Sequence, residues 1–137
     1  MPEIFLNCDL GEWESSQQTA AIMPYLHMAN IACGGHAGTA ESIAHCAELA
    51  NNQKPFAVST GAHPGLTPEL SPDRGRSMPD GFSVAQFQQL VELQLGRYIS
   101  HADLNHIKLH GALYHLTENN SEFRQAFLKL VKSKFLI

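Results

Sequence analysis

Short apolar strand, polar loop carrying glycine, amphipathic helix: this succession recurs along the 137 residues of the chain and limits its fold more than any other feature. Strands that alternate with helices rather than with tight turns must run parallel, because each crossover helix returns the chain to the same end of the sheet. The strands are read at residues 4–9, 30–33, 56–60 and 106–110, and the lysine-led segment 134–137 reads as the opening of a fifth. The fold class expected is therefore α/β, either an open parallel sheet or a sector of a (β/α) barrel, with about four βα units and parallel strands. Residues 1–137 are expected to form a single domain, since the chain is long enough for one core and too short for two.

The helices follow from caps and spacing. Residues 15–28 are rich in Ala and Gln, with Pro24 placed to interrupt them. Thr39 caps a helix to about Asn52 in which Ile43, Cys46, Ala47 and Ala50 share one face. Ser83 and Gln86 make a capping box ahead of a helix with Val84, Phe87, Val91, Leu95, Tyr98 and Ala102 at helical spacing. A last helix spans 121–133, with Phe123, Phe127, Leu130 and Val131 on its inner face. Residues 66–82, rich in Pro, Gly and Asp, read as a surface loop over a site.

One parity of each strand is apolar and the other is not. Leu6, Ile31, Val58, Ile107 and Leu109 face outward, whereas Asn7 and Asp9, Asn30 and His36, Ser59 and His63, and Lys108 and His110 fall on the inward parity. Ligands collect at the carboxyl ends of strands in β/α folds, and Asp9, His36, His63 and His110 stand there. Such residues suit two chemistries. An Asp with imidazoles is a nitrogen and oxygen set for a divalent metal; without one, the same groups serve as general acid and base while Lys108 holds developing negative charge. Taken singly, each His is an ordinary hydrogen-bonded strand-end residue; recurrence at successive strand ends is what points to a shared site. Arg74 and Arg76 read equally well as an anion clamp or as solubilising loop residues.

Composition excludes several classes. A net charge of −4 with no basic run removes the footprint that nucleic acid or an anionic membrane surface needs. The three cysteines form no C-x-x-C pair, so neither a disulfide framework nor a thiolate zinc site is indicated. No leader or spanning segment is read, and the expected location is the cytoplasm. No G-x-x-x-x-G-K-[ST] or G-x-G-x-x-G cradle for a nucleotide occurs.

LNCDLGE at 6–12, ANIACGGHAG at 29–38, GAHPG at 61–65 and HIKLHGALY at 106–114 resemble, in order and spacing, the LamB/YcsF family, whose members are described as the A subunit of prokaryotic 5-oxoprolinase. The resemblance implies a partial (β/α) barrel of the glycoside hydrolase/deacetylase type, of which residues 1–137 are the N-terminal part, since a full barrel takes roughly 250 residues. It also implies work with two partners, the B and C subunits, to open 5-oxo-L-proline to L-glutamate while ATP is hydrolysed. On that reading Asp9, His63, Lys108 and His110 are catalytic. Asn7, Glu12, Asn30, His36 and Arg76 contact substrate, and any divalent metal is held by Asp9, His36, His63 and His110. The family's Gly-Arg-Arg element is here only Gly75-Arg76-Ser77. Only about half of the family's length is present, so open barrel edges are expected to promote self-association. Two alternatives stand beside this reading: a metal-dependent, deacetylase-like carbon–nitrogen hydrolase, and a catalytically inactive half-barrel.

Overall fold

The structure, a computed structural model, describes residues 3–135. Its sheet has three parallel strands in the order β1 (Asn7–Leu10), β2 (Met28–Ala32) and β3 (Ser59–His63). The register pairs Asp9 with Asn30 and Asn30 with Gly61. The α/β class expected from the alternation is the one observed.

The helices start where their caps stand. Ser15 caps α1 (Ser16–Ile22) in a capping box with Gln18, and Pro24 then forces a 3₁₀ turn over Met23–Tyr25. Thr39 caps α2 (Ala40–Asn51), whose buried residues are Ile43, Cys46, Ala47 and Ala50. Ser83 caps α3 (Val84–Ile99), which buries Phe87, Val91, Leu95 and Tyr98, together with Gln94, a polar residue on the buried face. The core joins these faces to Ile31, Ala62 and Leu66 of the sheet region.

Strand limits differ from the sequence reading at both flanks. β3 begins three residues later than expected, leaving Phe56 84% exposed, and GAHPG starts inside the strand rather than ending it. Gly61 is the reason: a Cβ there would collide with the ring of His106, so the glycine marks a close approach within a strand, not a break. β1 likewise starts at Asn7, and Ile4, Phe5 and Leu6 are exposed before it.

The segment expected as a fourth strand runs alongside β3 but forms only one ladder bridge, Ala62 with Ile107. Ala62 donates to the His106 carbonyl, Lys108 donates back to the Ala62 carbonyl, and His110 donates to the Pro64 carbonyl, at 3.1, 3.0 and 2.8 Å. The bond missing from this parallel pattern is the one from residue 64 to the Lys108 carbonyl. Proline has no N–H to give.

Two helical features depart from expectation. The stretch after His110 is the helix α4 (Gly111–Asn119), and α5 runs from Ser121 to Phe135. Lys134 and Phe135, expected to open a fifth strand, complete α5, while Leu136 and Ile137 lie outside the described residues. α5 buries Phe123, Ala126 and Leu130. Among the described residues no helix is long and apolar enough to cross a membrane.

Candidate active site

At the carboxyl ends of the strands the inward parity brings Asp9, Asn30, His63 and the residues of the 106–110 segment onto one surface. Lys108 Nζ lies 2.8 and 3.1 Å from the two oxygens of Asp9. Asn30 donates from Nδ2 to Asp9 Oδ1 and to Asn7 Oδ1, both at 3.0 Å. His106 Nε2 approaches Asn30 Oδ1 at 2.7 Å, so that nitrogen carries the proton and orients the amide. His106 reads from the sequence as a surface or packing residue. Its parity, shared with Lys108 and His110, was the available sign of an inward position, and Gly61 makes room for its ring.

Beside this charged pair stands an imidazole cluster. His36 and His110 stack with centroids 3.5 Å apart at 5°, and His63 meets both edge-on. His36 Nε2 is 3.0 Å from Glu12 Oε2. One ligand atom each from Glu12, His36, His63 and His110 falls within 4.8 Å of the others. Asp9 stands at the rim, 3.4 Å from His63 Nε2.

Backbone carbonyls determine where the protons sit. His63 Nδ1 lies 2.6 Å from the Lys108 carbonyl and His110 Nε2 lies 2.8 Å from the Arg74 carbonyl. A carbonyl only accepts, so each of those nitrogens donates, and in the neutral rings His63 Nε2 and His110 Nδ1 are left with lone pairs. These two atoms face each other at 3.2 Å. Pro64 contributes directly: lacking an N–H, it leaves the Lys108 carbonyl to the imidazole beside it.

Burial keeps these rings neutral. It pushes His63 down to about 4, against the opposing pull of Asp9, and also lowers His110. For Asp9 burial opposes ionisation, but the hydrogen bond from Lys108 and the neighbouring His63 hold the carboxyl below its ordinary range. Glu12 is held low in the same way, with His36 outweighing burial.

The 66–82 loop covers this cluster, as expected, but mainly through its backbone. Arg74 takes a positive φ of 64°, and the turn is tied by Asp73, which accepts from Ser71 Oγ at 2.8 Å and from the Ser77 N–H at 3.1 Å. The Arg74 side chain lies over Trp13, 4.5 Å from its ring centre. Arg76 is exposed and takes no part in the network. Asp9, His63, Lys108 and His110 line a cavity of about 270 Å³ that also touches Tyr114 and His115 of α4. The unread helix therefore hides two lining residues from a sequence reading.

Residues 4–135 match the LamB/YcsF family. The chain belongs to that family. The A subunit of 5-oxoprolinase from Staphylococcus epidermidis is 36% identical over 94% of this chain and 52% of its own length. A protein of the same name from Tolumonas auensis is 35% identical over 96% of this chain and 53% of its own. A lactam utilization protein from Thermus thermophilus superposes with a TM-score of 0.81 at 30% identity, covering 98% of this chain and 55% of that one. This LamB/YcsF chain thus spans about half the length of the curated relatives it matches, and the family match over 4–135 includes every site residue described above.

Proposed function

We propose that this chain acts as the A subunit of an ATP-dependent 5-oxoprolinase, opening 5-oxo-L-proline to L-glutamate in the cytoplasm together with the B and C subunits. The observation that carries the reading is the coincidence of kinship and geometry. The segment 36% identical to a 5-oxoprolinase component is the one that draws Asp9, His63, Lys108 and His110 to one cavity.

Opening the lactam adds water across the carbonyl–nitrogen bond: the carbon gains a hydroxyl and the ring nitrogen a proton. His63 Nε2, with its lone pair free and its other nitrogen tied to a carbonyl, is the group to accept the proton of the attacking water. Lys108 supports the negative charge that develops on the carbonyl oxygen. Asp9 orients Lys108, and Asn30, with Asn7 and His106 around it, orients Asp9. Glu12 and His36 border the substrate, with Arg76 at the outer rim. ATP belongs to the assembled complex as co-substrate.

The donor set also fits a divalent ion. Two neutral imidazole nitrogens facing each other at 3.2 Å repel unless something between them accepts both lone pairs. Glu12, His36, His63 and His110, with Asp9 at the rim, would hold the ion, which when bound polarises a carbonyl or acidifies water. That arrangement favours the second reading, a metal-dependent carbon–nitrogen hydrolase acting without ATP.

Glutamate formation from 5-oxo-L-proline and ATP, in the presence of the B and C subunits, tests the first reading. Activity that disappears with His63→Ala supports it, and activity retained by that variant removes the role given to His63. Stoichiometric metal with ATP-independent release of acetate from an N-acetyl sugar would favour the second. The outer edge of β1 has no strand partner among the described residues, and self-association through it is part of the proposal. A monomer across the concentration range of a sedimentation experiment would count against that part.

A further inference from the structure

In the parallel pattern bonds alternate between neighbours. Ala62 and Pro64 bond toward the 106–110 segment, so His63 and Gly65 point their backbone groups toward β2. The β2–β3 ladder ends at Ala32 and His63, and β2 then turns away, with Gly34 donating to the Ala37 carbonyl at 2.8 Å. Gly65 is left with a buried N–H and a buried carbonyl facing a strand that is no longer there.

Both groups are taken by one side chain from α3. Gln94, 2% exposed, accepts from the Gly65 N–H through Oε1 at 3.0 Å and donates from Nε2 to the Gly65 carbonyl at 2.7 Å. Its Oε1 also lies 3.8 Å from Cys33 Sγ, at the end of β2. The space is tight on each side. A Cβ at Gly35 would collide with the Gln94 amide, and a Cβ at Gly65 would collide with His36 Nδ1. One amide therefore spans the exits of β2 and β3, and the glycine it pins forms the wall against which the ring of His36 rests.

We infer that Gln94 is a positioning residue of the site: its side-chain amide replaces the missing strand partner of Gly65 and thereby sets His36 and His63 against His110. The inference deepens the reading of this cluster as the active site, yet it concerns ring placement and is tested without any turnover.

The probe is the ring nitrogen NMR spectrum of the full chain, in which His63 is protonated on Nδ1 and His110 on Nε2. Gln94→Met keeps the length of the side chain and removes both hydrogen bonds. The expected result is a chain with unchanged far-ultraviolet circular dichroism whose His36 and His63 ring signals shift or broaden, while His27, just before the amino end of β2, stays as it was. Unchanged His36 and His63 signals in a folded Gln94→Met chain would overturn the inference, whatever the change in melting temperature. If that variant does not fold, Gln94→Glu decides. A protonated carboxyl accepts and donates as the amide does and an ionised one does not, so departures from the wild-type ring signals should grow as the carboxyl ionises. Departures that are absent, or equal at every pH, would overturn the inference.

Discussion

Asp9 and Lys108 form a charged pair with side chains 34% and 41% exposed, whereas His36 and His63 beside them are 0% and 1% exposed. The two halves of the mouth are held by different means. The pair is held by charge in contact with water, where attraction is weak and rearrangement easy. The imidazoles are held by stacking, by backbone carbonyls and by glycines that leave no spare room, so rearrangement there is opposed by packing. His63 touches both halves, and it is where the contrast can be tested.

The largest effect should come from His63 itself. On the proposed 5-oxoprolinase reading, His63→Ala should lower glutamate formation in the presence of the B and C subunits by on the order of 10³-fold or more, and Lys108→Met by on the order of 10²-fold. Equal losses would erase the distinction between the halves. Next comes acid stability. The unfolded chain binds a proton on residue 63 near pH 6.5, while the folded chain refuses it until about pH 4. The stabilisation is thus whole above pH 6.5 and lost as the pH falls toward 4, amounting to roughly 3 kcal/mol. Asp9 and Glu12, lowered in the fold, add a second loss as the pH drops from the ordinary carboxylate range through their folded values. Urea midpoints between pH 8 and 4 should fall with pH in the wild type and fall less in His63→Asn.

Smaller effects sharpen the picture. Pro64→Ala restores an N–H aimed at the Lys108 carbonyl; it should cost about 0.5–1 kcal/mol and let His63 sample its other tautomer, visible in ring nitrogen shifts. Smallest of all, a double-mutant cycle of Asp9→Asn and Lys108→Met should give a stability coupling of about 0.2–1 kcal/mol that shrinks with added salt. A coupling of several kcal/mol would mean that the pair is as rigidly built as the imidazoles.

Much of this was legible in the chain and some was not, for physical reasons. Caps at Ser83 and Thr39 and helical spacing are local properties, so α2 and α3 lie where the sequence places them. Alternation put Asp9, His63, Lys108 and His110 on one surface, because side chains along a strand alternate with period two wherever the strand begins. Strand ends were read less well. Gly61 reads as a breaker unless the ring of His106 is known to lie on it, and that neighbour is 45 residues away. The helix α4 begins at Gly111, and His110 at its N-cap position makes no side-chain cap bond, so no local sign announces it. Gln94 reads as one more polar helix residue, since its partner Gly65 is brought to it only by the folded sheet.

The loop over His110 has a practical consequence. Residue 74 reaches the imidazole through its carbonyl while its side chain lies outward on Trp13, so a substitution there leaves the carbonyl in place. Of the native thiols, Cys33 and Cys46 are buried and pushed by that burial up to about 12, and Cys8 is half-buried and also raised. A cysteine introduced at position 74 would react first with a maleimide dye. The dye would sit beside the chain's single tryptophan, whose ring lies 5.9 Å from that of His36, an optical reporter next to the imidazole cluster from which ligand binding could be followed by quenching.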